Sequence, residues 1–251
     1  MIGCTLRADP ARPSVPEHPT VLVVVPTYNE RDNLPLLVDA VLAREAYRML
    51  VVDDGSPDGT GALADEIAAK SNARLQVLHH AGPRGLGRSY VEGFMRAIVE
   101  PVEVVCQMDA DFSHDPDQLP VLVDAARDHD LVVGSRYVPG GRVVDWPFHR
   151  LALSTAANWY IRAALRLPVH DSTSGFRCWR REALARMPLP LIESDGYAFQ
   201  IEMAWEASRR GFRIAEVPIS FVERRQGQSK MSWAIVLEAL GLPRRLRRRM
   251  A

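Results

Sequence analysis

VLVVVPTYNERDNLPLLVDAVLAREAYRMLVVDDGS, residues 21–56, decides the fold class. It opens on an unbroken apolar run, Val21 to Val25, the pattern of a strand buried on both faces. Leu34, Leu37, Val38, Val41 and Leu42 then recur at helical spacing between Glu30 and Arg44. Met49–Val52 returns to an apolar run. Two such strands joined by a helix form a unit of a parallel sheet.

Working outward, the same rhythm continues. The spacing predicts helices over Asp58–Lys70, Gly87–Glu100 and Pro116–Asp128, the last with proline in its first turn. Strands are expected at Leu75–Leu78, Val102–Met108 and Leu131–Val133. After Tyr137 the rhythm breaks. Val138–Phe148 reads as an irregular loop, followed by a helix over Arg150–Leu165, a short strand near Gly175–Trp179 and a helix over Tyr197–Arg210. Strands near Arg213–Val217 and Ile219–Glu223, a polar loop at Gln226–Lys230 and a helix over Ser232–Arg249, weakened by Pro243, complete the chain. A (β/α)8 barrel would need eight repeats, so five followed by irregular structure argue against it. Upstream, Pro10, Pro13, Pro16 and Pro19 make residues 1–19 an extended arm. The organisation expected is this arm, a folded domain over 20–232 and a C-terminal segment over 233–251.

Composition is that of an ordinary globular protein, 47% hydrophobic and 25% charged over 251 residues, which excludes a disordered or fibrous chain. The 31 basic and 31 acidic residues cancel, which argues against a nucleic-acid binder. The balance is uneven along the chain. Five arginines lie between Arg244 and the end; without them 26 basic residues face 31 acidic ones, a net of −5. A basic terminus on an acidic globule is either an interaction surface or a solvated end. Cys4, Cys106 and Cys178 form no CxxC pair, which fits a reducing compartment and no zinc signature. The start lacks the apolar core of a signal peptide, and Arg162 and Arg166 interrupt Leu151–Val169, so no membrane span is expected.

In open α/β sheets, ligands bind beyond the carboxyl ends of the strands. The expected strands deliver Pro26-Thr27-Tyr28-Asn29-Glu30, Asp53-Asp54-Gly55-Ser56, His80 to Gly87, Asp109-Ala110-Asp111 and Gly134-Ser135-Arg136-Tyr137 to that edge. Asp109 and Asp111, two apart on an extended segment, can face one cation. Oxygen ligands of this kind suit Mg²⁺ or Mn²⁺ shared with substrate phosphates; the alternative is an acidic turn capping the helix at Pro116. Gly82-Pro83-Arg84-Gly85-Leu86-Gly87 is GxxGxG after the third strand, not GxGxxG after the first. That disfavours a dinucleotide oxidoreductase and leaves a phosphate-binding helix start or a plain loop. Arg136, Arg150, Arg224 and Lys230 look unpaired in the second half and could grip phosphate, or be surface charges.

PTYNE, VVDDGSPDGTG, GLG, MDADFSHDP, GSRYVPGG, GYAFQIEM and GQSK, in this order from Thr20 to Trp233, resemble the family-2 glycosyltransferases of GT-A fold. DADFSH, GSRYVPGG, Trp146 to Arg150 and GQSK narrow the similarity to the dolichol-phosphate or polyprenol-phosphate mannose synthases. The resemblance implies a Rossmann-like, mainly parallel sheet flanked by helices, with an acceptor-side segment of helices and short strands. It implies GDP-mannose as donor, a polyprenyl monophosphate as acceptor, and inversion at the anomeric carbon. Pro26, Tyr28 and Glu30 would hold the nucleoside, with Asp54 near the base and Asp53, Gly85 and Ala110 lining the same pocket. Asp109 and Asp111 would bind Mg²⁺ or Mn²⁺ on the diphosphate. Arg136, Arg150 and Ser154 would hold the lipid phosphate, and Arg224 and Lys230 would lie on a closing loop. Some members carry a glutamine metal ligand where this chain has Ser113. A glucosyltransferase using UDP-glucose, and an inert nucleotide-binding module that recruits a membrane partner, are the alternatives.

The lipid acceptor implies work at the cytoplasmic membrane face. Trp233, Ile235, Val236, Leu237, Leu240 and Leu242 beside the arginine block suit docking at an anionic surface, or packing on the sheet. A separate membrane-anchoring protein is the other route.

Overall fold

The computed structural model describes residues 15–222 and 233–248. Their core is a seven-stranded sheet in the order β3-β2-β1-β4-β7-β5-β8. Five of its strands are β1 (Val21–Thr27), β2 (Tyr47–Asp53), β3 (Leu75–His79), β4 (Val104–Gln107) and β5 (Leu131–Ser135). With β8 (Ile214–Pro218) they run parallel. Strand β7 (Arg177–Arg180) is inserted antiparallel between β4 and β5. A second sheet pairs β6 (Arg142–Val144) with β9 (Ser220–Val222).

The unbroken apolar runs are explained by helices on both faces. Every residue of β1 is buried. Leu22 and Val24 point into one core cluster, Val21, Val23 and Val25 into the other. Helices α1 (Leu34–Leu42) and α4 (Leu119–Ala125) cover the second face, and α2 (Thr60–Ala68) packs beside β3. Helices α3 (Leu86–Ala97) and α7 (Gly196–Arg209) cover the first, together with α5 (Phe148–Leu165) and α6 (Arg181–Ala185). Helix α3 approaches so closely that a Cβ on Gly93 would lie 2.6 Å from Val24 Cγ1 and 3.0 Å from Val52 Cγ2. Gly93→Ala is therefore expected to cost about 1–3 kcal/mol by overpacking, checked by urea denaturation.

Several expectations need correction. Val138–Phe148 is not wholly irregular, because it contains β6, whose partner β9 lies far along the chain. Pro116–Gln118 is a 3-10 turn and the α-helix starts after it; Asp115 caps the turn through Asp117 N. The last helix, α8 (Trp233–Arg248), runs through Pro243 and packs on α5 and α7. Leu242, expected as a membrane anchor, is buried in the core with Leu246. The side chains of the other expected anchors, and Arg224 and Lys230, lie outside the described residues.

Candidate active site

The carboxyl ends of β1, β2 and β4, adjacent in the sheet, gather the first group of candidates. Pro26 is buried within β1 beside Val52. Asp53 and Asp54 end β2 with different roles. Asp53 Oδ1 accepts from Thr27 Oγ1 at 3.0 Å and Ser56 Oγ at 2.6 Å, and Oδ2 accepts from Ser56 N at 3.1 Å. It braces β1 and the 54–56 turn. Asp54 Oδ2 accepts from Gly85 N at 2.9 Å, which ties β2 to the start of α3. Asp54 Oδ1 is buried and has no hydrogen-bond partner among the described residues. A buried carboxylate oxygen left so is costly and calls for a donor that the described residues do not supply.

Tyr28 and Arg84 pair on the exposed surface at the ends of β1 and β3. The Arg84 guanidinium lies 4.9 Å from the Tyr28 ring centroid and donates to the Tyr28 hydroxyl. Glu30 Oε2 accepts from Asn33 at 2.8 Å, and its backbone N donates to Thr60 Oγ1 at 3.0 Å. Asp195, itself exposed, joins two helix starts. Its Oδ1 accepts from Gly87 N at 2.6 Å and Gly196 N at 2.8 Å, so one carboxylate serves the first turns of α3 and α7.

Asp109 and Asp111 do not continue β4 as an extended segment. The strand ends at Gln107, and 108–113 bends, with Phe112 at φ 58°. The two carboxylates therefore differ in setting. Asp109 is partly exposed, accepts from Tyr90 Oη at 3.3 Å and lies 4.0 Å from His114 Nδ1. Asp111 is buried and Oδ1 accepts from Ser113 N at 3.0 Å and Ser113 Oγ at 2.6 Å. Ser113 thus orients Asp111. His114 is buried between Phe176 and Phe221, and its Nδ1 accepts from Asp109 N at 3.3 Å. Burial lowers its pKa below the ordinary value, so it holds the bend as a neutral ring. No cluster of three or more His, Cys, Asp or Glu side chains suited to a metal occurs among the described residues. Two carboxylates alone fit a hard divalent cation that takes its remaining oxygens from phosphate and water.

The acceptor-side candidates meet beyond β5, and here the unpaired reading of Arg136 fails. Arg136 is buried and donates through Nε and Nη2 to the two oxygens of Asp171, each at 2.7 Å. Asp171 Oδ2 also accepts from Arg136 N at 3.0 Å, and Thr173 Oγ1 from Nη2 at 2.9 Å. Burial by itself would raise the Asp171 pKa, but the Arg136 charge and its hydrogen bonds hold it below the ordinary carboxylate value. The Tyr137, Trp146 and Phe221 rings surround the Arg136 guanidinium at 5.2, 5.6 and 5.2 Å. Arg150, in the first turn of α5, stacks on Trp146 at 3.8 Å. One turn on, Ser154 Oγ accepts from Tyr137 Oη at 2.7 Å. Arg136 and Arg150 thus flank one indole ring, with Ser154 beside them.

Asp171 and Asp195 were absent from the candidates read from sequence, whereas Arg84 and Tyr137 stood only among the residues expected at the sheet edge, with no role of their own. Asp171 pairs across 35 residues and Asp195 across 108, and no local spacing encodes either contact.

Comparison with known proteins identifies the family. A model described as glycosyl transferase family 2 matches residues 22–187. A polyprenol monophosphomannose synthase of Mycolicibacterium smegmatis is 50% identical over 221 residues, 87% of this chain and 83% of that protein. An undecaprenyl-phosphate mannosyltransferase of Micrococcus luteus is 48% identical over 224 residues, 88% of this chain and 90% of that one. Among solved structures, a mannosyltransferase of Pyrobaculum calidifontis, in complex with GDP-Man and Mn²⁺, shares the fold. Its TM-score is 0.60 at 20% identity, over 95% of this chain and 68% of that one. The sheet order, the acidic edge beyond β4 and these likenesses converge: the chain is an enzyme of glycosyltransferase family 2.

Proposed function

We propose that this enzyme transfers mannose from GDP-mannose to a polyprenyl monophosphate, with inversion and with Mg²⁺ or Mn²⁺ on the donor diphosphate. The observation that carries the reading is the order of groups along one edge. The orphaned acceptor Asp54 Oδ1 lies beyond β2, the Asp109–Asp111 bend beyond β4, and the Arg136–Arg150 pair about Trp146 beyond β5. Nucleobase, diphosphate and acceptor phosphate would lie in that order. The names of the two relatives near 50% identity support the mannosyl and polyprenyl-phosphate parts, and the GDP-Man and Mn²⁺ bound to the structural neighbour support the donor and the metal.

Asp54 Oδ1 would accept a base N–H, and Pro26, Tyr28 and Glu30 with Asp53, Gly85 and Ala110 would shape the nucleoside pocket. A phosphate monoester, with its second pKa near ~6, is largely a dianion at neutral pH and can attack without a strong enzymic base. Its cost is bringing like charges together. Arg136 Nη1, Arg150 and Ser154 would offset the charge of the nucleophile, while Asp171 fixes Arg136 in place. A divalent cation held by Asp109 and Asp111 would offset charge on the leaving diphosphate. Backside attack then yields β-linked mannosyl phosphate. Arg224 and Lys230 would complete the phosphate contacts. Radiolabel transfer from GDP-mannose to a polyprenyl phosphate tests the reading. Transfer from UDP-glucose instead, or from neither donor, would overturn it.

The enzyme must also reach a lipid, at the cytoplasmic membrane face on this reading, either directly or through a membrane-anchoring partner. No helix among the described residues is long and apolar enough to cross a membrane. Helix α5 buries Ser154, Asn158, Ile161 and Leu165 but leaves Phe148 83% and Trp159 71% exposed. Arg247 of α8 donates to Ala164 O of α5, and Arg244 and Arg248 are exposed beside it. Apolar side chains next to arginines suit shallow insertion into an anionic surface. In vesicle flotation, Phe148→Ser with Trp159→Ser is expected to abolish most binding to anionic lipid. Undiminished binding would transfer the docking to another surface.

A further inference from the structure

Behind Asp109 lies a chain of buried side-chain hydrogen bonds that the reaction outlined above does not use. Trp179 Nε1 on β7 donates to Gln107 Oε1 on β4 at 3.1 Å, and Gln107 Nε2 donates to Gln200 Oε1 on α7 at 3.0 Å. The direction is not arbitrary. An indole N–H can only donate, so Gln107 must turn its oxygen to Trp179 and its nitrogen to Gln200. Gln200 must then turn its oxygen to Gln107, and its nitrogen faces the other way. That nitrogen is buried and has no hydrogen-bond partner among the described residues. Gln200 as a whole is 2% exposed.

What the nitrogen faces is set by Gly175. A Cβ on Gly175 would lie 3.6 Å from Gln200 Nε2 and 3.4 and 3.5 Å from the two Asp109 oxygens. The amide donor and the Asp109 carboxylate therefore border the same narrow space, which a glycine leaves clear. An unsatisfied buried donor costs about 1–3 kcal/mol. It is aligned by two further side chains, and no described residue supplies its acceptor.

We propose that Gln200 is a donor-site residue that gives a hydrogen bond to an oxygen of the nucleotide-sugar bound beside Asp109. The oxygen is either a hydroxyl of the transferred sugar or a diphosphate oxygen next to it. The Trp179–Gln107 relay pre-orients the amide and Gly175 keeps the approach clear. The inference rests on the nucleotide-sugar reading above. A neutral amide discriminates by geometry rather than by charge, and a site built to donate a buried hydrogen bond rejects ligands that lack the matching acceptor.

Calorimetric titration of the full chain with GDP-mannose and with GDP, each with Mn²⁺ present, tests this. Gln200→Glu keeps an oxygen for Gln107 and replaces the donor by an acceptor. Gly175→Ala adds a methyl at ordinary contact distances, so it should fold, while narrowing the approach. Both variants are expected to bind GDP-mannose at least about tenfold more weakly. Loss for GDP-mannose with GDP unchanged assigns the oxygen to the sugar, and equal loss for both ligands assigns it to the diphosphate. Wild-type affinity for both ligands in a folded Gln200→Glu protein, shown by an unchanged melting temperature, overturns the proposal. Failure of the wild-type protein to bind GDP-mannose would instead overturn the nucleotide-sugar reading itself.

Discussion

Asp111→Asn should lower mannosyl transfer by about 10²–10³-fold with little change in melting temperature. The asparagine keeps a carbonyl oxygen for Ser113 N and Ser113 Oγ, the two donors that now hold Asp111 Oδ1 at 3.0 and 2.6 Å. The bend after β4 therefore keeps its supports. What is lost is one of two neighbouring negative charges, and no group of three or more His, Cys, Asp or Glu suited to a metal occurs among the described residues. Each carboxylate then carries a large share of the cation affinity, so raising Mn²⁺ should recover part of the rate. Asp111→Ala, which also frees the Ser113 donors, should nearly abolish transfer and lower the melting temperature as well. Wild-type turnover in either variant would sink the assignment of Asp109 and Asp111 to the cation.

Removing Asp171 should have the largest effect on stability. Asp171→Asn leaves the Arg136 guanidinium buried without its charge partner, and breaking such a pair costs about 3–5 kcal/mol. The double variant R136M/D171N should recover most of that loss, because the Arg136 charge is removed together with its partner, yet should remain inactive for want of Arg136. The pH dependence follows from the direction of the Asp171 shift. Its folded-state pKa is depressed, so its contribution is complete above the unfolded value of about 3.9 and is lost as pH falls through the lower folded value. In urea denaturation the gap between wild type and Asp171→Asn should stay constant from pH 7 to about pH 5 and shrink only below about pH 4. A gap that closed near neutrality would refute the ion pair as its source.

Much of the parallel sheet was readable because its signals are local. An apolar run such as Val21–Val25 reports burial on two faces, and the spacing of Leu34, Leu37, Val38 and Val41 reports a helix, each within about two turns of chain. The polar residues at the strand ends could be found for the same reason. Strand β7 shows where this stops. Its apolar character was visible near Gly175–Trp179, but its antiparallel insertion between β4 and β5 depends on partners more than 40 residues away. Likewise Pro243 read as a weakness in a free helix, whereas packing of Leu242 and Leu246 into the core holds α8 through it.

By itself, then, the sequence determined the alternating strand–helix frame, the acidic pair beyond the fourth strand and the likeness to family-2 glycosyltransferases. Those rest on periodicity, on side chains that follow a strand directly, and on motif order. Only the tertiary structure decided that Arg136 is paired with Asp171, that Ser113 and His114 brace the DxD bend, and that Gln200 turns an unsatisfied donor toward Asp109. Each of those is a hydrogen bond, or the want of one, at a buried side chain. Its partner is chosen by the packing of remote elements, and nothing in the spacing along the chain reports it.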